Sequence, residues 1–221
     1  MTAVSPPTSF TPANLRERVQ EILAAGTLPA IVQAGHPVLR QHAAPFDGQI
    51  SAAELEQLTG LMRQVMHEAP GVGLAASQIG IPLQLAVLED QFDVDPEAAA
   101  VRHRTPLDFL VVLNPRYTPI GEETAAFFEG CLSLSGLQAV VVRHERVRLQ
   151  YEMPDGTGME QEFEGWQARI VQHETDHLHG TLYIDRAELR SLSCNAEYAA
   201  NWAEPGIAKA RAALGFLPEH H

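Results

Sequence analysis

Residues 166–179 read Trp-Gln-Ala-Arg-Ile-Val-Gln-His-Glu-Thr-Asp-His-Leu-His, and Gly180 follows. The run has no proline, and its glycine stands where a helix commonly stops, so a helix is expected over Trp166–His179. Just upstream, Val147, Leu149 and Tyr151 alternate with Arg148, Gln150 and Glu152, the period-two signature of a half-buried strand. Pro154-Asp155-Gly156 then supplies turn chemistry, which predicts a hairpin into Met159–Glu164. Strands grouped ahead of a late helix point to an α+β fold rather than alternating βαβ units.

Further upstream the same reading gives a helix from Asn14 to Ala25 stopped by Gly26. A second runs from Ala52 to about His67, behind the capping-box pair Ser51 and Glu54. Leu55, Leu58, Met62 and Met66 form its core face. Short strands are expected at Gln84–Leu88, at Phe109–Leu113 (ended by Asn114-Pro115) and at Gln138–Val142. Glu89–Asp108, acidic and alanine-rich, reads as a surface insertion. Residues 1–12, rich in Pro, Ser and Thr, read as disordered. The chain divides into a catalytic domain at 13–190 and a C-terminal extension at 191–221. There are no internal repeats.

The chain has 221 residues and a formal net charge of −13, with Lys209 its only lysine. That balance argues against nonspecific nucleic-acid binding through a broad basic face. Two cysteines, Cys131 and Cys194, do not make a disulfide framework. The opening MTAVSPPTSFTP holds no apolar core of signal-peptide length, and no stretch approaches the ~20 apolar residues of a membrane span. The expectation is a cytoplasmic protein with reduced thiols, with neither membrane nor direct nucleic-acid reading among its partners.

Chemistry concentrates in His173-Glu174-Thr175-Asp176-His177. Histidines at i and i+4 share one helical face, where one cation reaches both, and the intervening glutamate can serve as general base toward a metal-bound water. Histidines that only hydrogen-bond in a core are the bland alternative. A catalytic site of this kind needs three protein ligands and an open position. The long form of the motif would place a third histidine where Tyr183 stands. Glu197, downstream, would complete a thermolysin-like metallopeptidase. Cys131, in Glu129-Gly130-Cys131-Leu132-Ser133, would supply a thiolate, although a lone cysteine is more often a buried hydrophobe. A third segment, Gly71-Val72-Gly73-Leu74-Ala75-Ala76-Ser77-Gln78, lacks the third glycine and preceding strand of a dinucleotide site.

Taken together, Gly71–Gln78, Glu129–Ser133 and Gln172–His177 occur in the order found in peptide deformylases, and the sequence resembles that family from about Pro29 to Leu189, including an opening at His36-Pro37-Val38-Leu39-Arg40. The resemblance implies small antiparallel β-sheets packed around a central helix that carries the HExxH-type metal motif. It implies one divalent metal held by Cys131, His173 and His177, typically Fe2+, with Zn2+, Ni2+ or Co2+ able to replace it. It implies hydrolysis of the N-formyl group from formyl-methionyl nascent peptides, which also brings transient ribosome contact into view. Glu174 would be the general base and acid, and the Gln78 amide with the Leu132 N–H would bind the developing oxyanion. Val72, Gly73, Phe127, Glu129, Trp166 and Ile170 would line the methionine pocket, and the peptide would add as a strand to a sheet edge. Core packing is the competing reading for Phe127, Trp166 and Ile170. A metal-storage protein with the same ligands would need neither Glu174 nor Gln78. Where many relatives have proline and arginine after Ser133, this chain has Ser135 and Gln138.

Overall fold

The computed structural model describes residues 12–217. The disorder expected over residues 1–12 lies outside them up to residue 11, and Pro12 opens the first helix instead. That helix, α1 (Pro12–Ala24), ends before Gly26, whose φ of +65° suits a chain reversal. Helix α2 (Ala52–Glu68) starts at the expected capping box. The Ser51 hydroxyl accepts from the Glu54 N–H at 3.3 Å, and the Glu54 carboxylate accepts from the Ser51 N–H at 2.7 Å. Its apolar face, with Leu55, Leu58, Met62 and Met66, packs with Leu15, Val19 and Ile22 of α1 against Leu74, Leu85 and Val87.

Among the described residues, eight strands form two antiparallel sheets. The larger has the order β1-β2-β3-β6-β7, built from β1 (Gly73–Ala75), β2 (Leu85–Asp90), β3 (Leu107–Pro119), β6 (Arg146–Glu152) and β7 (Gly158–Glu164). The smaller has the order β4-β5-β8, built from β4 (Thr124–Gly130), β5 (Leu137–His144) and β8 (Ser193–Cys194). Helix α4 (Gly165–Leu178) touches both sheets. Ala168, Ile170, Val171 and Leu178 of α4 are buried among Ala86, Leu88, Val112, Val147, Leu149 and Phe163 of the larger sheet. The architecture is α+β, with small antiparallel sheets.

The hairpin forms as its alternation predicts, with Val147, Leu149 and Tyr151 buried and Gly156 at φ +84°. Elsewhere two expectations are corrected. Asn114-Pro115 does not end a strand, because β3 runs on to Pro119 and the ladder to β6 shifts register between Leu113 and Arg116. A bulge tolerates proline's missing N–H, and the side chain of Asn114, at φ +52°, bonds to the Phe46 backbone outside the sheet and to the Glu152 carboxylate on β6. The insertion is shorter than 89–108. Glu89 and Asp90 are buried at the end of β2, paired with Arg63 and Arg104, and Leu107 begins β3. Only residues 91–106 leave the sheet, with a short helix α3 (Pro96–Val101) behind the Asp95 cap. The segment after β8 holds one turn α5 (Asn195–Glu197), a π-helical turn at Tyr198–Trp202, and α6 (Ala208–Leu214). Ala210 and Phe216 bury against Phe128 and Val140, on the outer face of the smaller sheet.

Candidate metal centre

Helix α4 sets the axis of the site. His173 and His177 stand one turn apart with ring centroids at 5.0 Å. Cys131 follows the last residue of β4, and its Sγ lies 3.2 Å from His177 Nε2. One donor atom each from Cys131, His173 and His177 falls within 4.8 Å of the others, and this is the one such His/Cys/Asp/Glu group found among the described residues. Cys194 is exposed on β8 and outside the group. Glu197 is outside it too, accepting instead from Asn201 at 2.9 Å. Tyr183, where the long motif would place a ligand, stacks on His173 at 6.2 Å and donates to the Leu137 carbonyl.

The imidazoles are aimed by what lies behind them. His173 Nδ1 donates to Glu129 Oε2 at 3.0 Å, which fixes the orientation of the ring toward the cluster. Glu129 is itself held by Arg143 through two bonds of 2.6 and 2.9 Å and by Arg169 at 2.5 Å. Arg143 continues to Asp176 at 2.8 Å, and Asp176 also receives Arg186 and the Tyr117 hydroxyl. Burial works against a charge on Glu129, but Arg143, His173 and Arg169 outweigh it and hold the carboxyl well below the usual range. Burial likewise opposes a charge on His173, and its bonds to Cys131 and Glu129 raise it well above an ordinary histidine. Burial and the neighbouring His173 push His177 well down.

Glu174 is buried between the two histidines without joining their donor group. Burial raises its carboxyl to about 7, and its Oε2 has no hydrogen-bond partner. A Cβ on Gly73 would overlap this carboxylate, so only glycine lets β1 pass so close. Gln78 has its Oε1 fixed by the Ala75 N–H at 2.9 Å, which turns its Nε2 toward Ser133 Oγ (3.3 Å) and Cys131 Sγ (3.6 Å). Leu132 is anchored through its carbonyl by Gln33 Nε2 at 3.0 Å.

These groups form the floor of a cleft of about 910 Å³. Of the residues singled out in the sequence, Val72, Gly73, Gln78, Glu129, Cys131, Leu132, Trp166, Ile170, His173 and Glu174 all line it. His177 lies buried beneath. Phe127 is not on the wall and sits edge-on behind Trp166 at 6.2 Å. Sequence reasoning missed Arg143 and Arg169, and also Arg102, Arg104, Asn195 and Tyr198, which line the cleft from the insertion and the C-terminal segment. No motif marks any of them.

The sequence profile of the family described as Polypeptide deformylase matches residues 28–192. The chain belongs to that family. Peptide deformylase 1 of Streptomyces coelicolor is 54% identical over 202 residues, covering 91% of this chain and 93% of the relative. The mitochondrial peptide deformylase of Homo sapiens is 37% identical over 168 residues, covering 74% and 69%. Among solved structures, the peptide deformylase of Thermotoga maritima superposes with a TM-score of 0.61 at 34% identity, covering 73% of this chain and 99% of that one. A Met-Ala-Ser-bound class I type b peptide deformylase from Acinetobacter baumannii does so at 0.65 and 31%, covering 72% and 98%. Deformylases are metal-dependent, and a thiolate with two imidazoles is a donor set suited to a divalent transition metal. Past residue 192, where the family match ends, lie β8, α5 and α6. No described helix is long and apolar enough to cross a membrane.

Proposed function

We propose that this deformylase removes the N-formyl group from formyl-methionyl nascent peptides at the Cys131/His173/His177 cluster. The observation that carries the reading is the convergence of three metal-ligating atoms, one buried carboxylate with an unpartnered oxygen and one oriented amide on a single cleft floor. Cys131, His173 and His177 would hold a divalent ion, which would supply Lewis acidity and lower the pKa of water at the site. Fe2+ is the proposed ion, with Zn2+, Ni2+ or Co2+ compatible with the same donors.

The chain's own groups do the rest. Glu174 takes the proton of the attacking water as its oxygen bonds to the formyl carbon, and passes that proton to the leaving amine nitrogen as the C–N bond breaks. A carboxyl near 7 suits both directions of that transfer. Charge gathering on the formyl oxygen meets Gln78 Nε2 and the Leu132 N–H, each such donor typically worth about 3 kcal/mol in the transition state. Formate and a free N-terminal methionine leave. Val72, Gly73, Glu129, Trp166 and Ile170 enclose the methionine side chain, with Phe127 backing Trp166. The peptide extends as an added strand between β1 and β4, edge strands of the two sheets.

The HExxH-type helix α4 is thus the metal-bearing centre of the fold. The catalytic domain is assigned to 13–190 and the C-terminal extension to 191–221. A cytoplasmic location and transient meetings with the ribosome belong to the same reading, because the substrate is a nascent chain. The metallopeptidase alternative loses its ligand, since Glu197 lies outside the donor cluster. The test is formate release from formyl-Met-Ala-Ser, with cleavage of unformylated Met-Ala-Ser as the control. Formate with no peptide-bond cleavage is expected, and the reverse result would favour a peptidase. A ferrous preparation should lose activity in air faster than a nickel one, because an iron-bound thiolate is open to oxidation.

A further inference from the structure

One wall of the cleft lies outside the chemistry. Trp166, Ile170, His173 and His177 follow one stripe of α4, at steps of four, three and four. At 1.5 Å per residue, Trp166 stands roughly 10 Å along the axis from His173, so it bounds the cleft at the end away from the ligand cluster. Its indole N–H is buried and has no hydrogen-bond partner, so the ring is held only by what packs on it. Three guanidinium carbons do so, Arg102 at 5.3 Å, Arg104 at 5.5 Å and Arg169 at 5.8 Å from the ring centre.

Two of these are committed to carboxylates, Arg104 to Asp90 at 2.7 and 2.8 Å and Arg169 to Glu129. Arg102 has no carboxylate partner among the described residues. It caps α3 in the insertion, and its side chain reaches across to the C-terminal segment. Its Nε donates to the Pro205 carbonyl at 2.9 Å and one terminal nitrogen to the Glu204 carbonyl at 3.1 Å. The same guanidinium covers Phe127 at 5.9 Å. One side chain therefore ties together two segments outside both sheets and roofs the two aromatic rings at that end of the cleft.

We propose that Arg102 is a specificity-determining residue that closes the far end of the side-chain cavity and so sets the longest first side chain the enzyme accepts. The proposal rests on assigning that end of the cleft to the methionine side chain. A longer chain would have to displace the guanidinium from two carbonyls and two rings together. Arg104 and Arg169 share those ring faces, Arg169 lying 5.3 Å from the Phe127 centre, but their carboxylate pairs hold them, and of the three only Arg102 joins the rings to the Glu204 and Pro205 carbonyls.

The test uses the full-length, metal-loaded protein with Arg102→Ala and Arg102→Lys. Two substrates are compared, formyl-Met-Ala-Ser and its analogue with a linear first side chain several methylenes longer. Two quantities are read, kcat/KM for formate release and, by calorimetry, the Kd of the two deformylated products. Pocket discrimination by methylenes spans roughly ten-fold to a few hundred-fold, so Arg102→Ala should shift the long-to-Met ratio about ten-fold in both quantities. Arg102→Lys keeps the charge but not the paired donors, and should shift it less. Unchanged ratios, or equal losses on both peptides, would overturn the proposal. Should the native protein release no formate, the deformylase reading fails while the Kd ratios still decide the role of Arg102.

Discussion

The floor and the rim of the cleft are held by different physics. Beneath the histidines, Glu129, Arg143, Asp176 and Arg169 are all nearly inaccessible to solvent and bonded to one another. At the rim, Arg102 uses stacking and backbone carbonyls, and Gln138 makes one exposed bond of 3.2 Å to Asn195 Oδ1. A buried charge network has one acceptable arrangement, because any unpaired member would be left in a low dielectric. Exposed polar contacts exchange readily with water. The floor is thus built to keep reacting groups in place, and the rim to be varied.

Breaking the floor should have the largest consequences. Cys131→Ala should lose bound metal and activity together, while Cys194→Ala, on an exposed position outside the cluster, should keep both. Metal analysis of the two purified variants checks this, and normal metal content in Cys131→Ala would reject the ligand assignment. Next comes Glu174→Gln, which should retain metal and lose about 10²–10⁴ in kcat, the usual worth of a positioned acid–base group. Near-native turnover would remove Glu174 from the proton path.

Glu129→Gln tests the support rather than the chemistry. It leaves Arg143 and Arg169 short of a buried counter-charge, which typically costs about 3–5 kcal/mol, and should weaken metal binding about 10–100-fold. The sign with pH follows from the lowered folded pKa. Glu129 contributes stability above the unfolded carboxylate value near ~4.3, and loses it as pH falls through its lower folded value. The stability gap between native protein and Glu129→Gln should therefore be constant from pH 7 to about 5 and narrow only in stronger acid. Urea titrations across that range would show it, and a gap that widened on acidification would contradict it.

The smallest effect is expected at the rim. Gln138→Arg adds one exposed charge at the cleft edge, and such a pair is worth ~0.2–1 kcal/mol. It should raise kcat/KM a few-fold for a formyl-Met peptide with an acidic end and leave its amidated counterpart unchanged. Equal gains on both peptides would mean that charge is not what this position reads.

Local patterns were legible wherever a residue's role depended on its sequence neighbours. The capping box at Ser51 and Glu54, the alternation in β6 and the i, i+4 histidines all report short-range geometry, and each stands where it was expected. Strand β4 went unread because Thr124–Gly130 has no clean alternation, its pairing being supplied by β5. Asn114-Pro115 misled as a stop signal because the bulge that accommodates it needs β6 as partner. The ends of the insertion misled for a similar reason, since Glu89 and Asp90 look solvent-seeking until Arg63 and Arg104 are placed beside them.

By itself, then, the sequence determined the helix that carries His173, Glu174 and His177, and the hairpin ahead of it. Helical and strand periods are properties of consecutive residues. Through three ordered motifs it also pointed to the family and to Cys131 as third ligand. Only the tertiary structure decided that Arg143 and Arg169 sit under Glu129, that Phe127 stands behind Trp166, and that Arg102 joins the insertion to the C-terminal segment across 102 and 103 residues of chain. Those contacts join residues distant in sequence through charge and ring faces, which carry no period and no spacing, so they exist only once the chain has closed on itself.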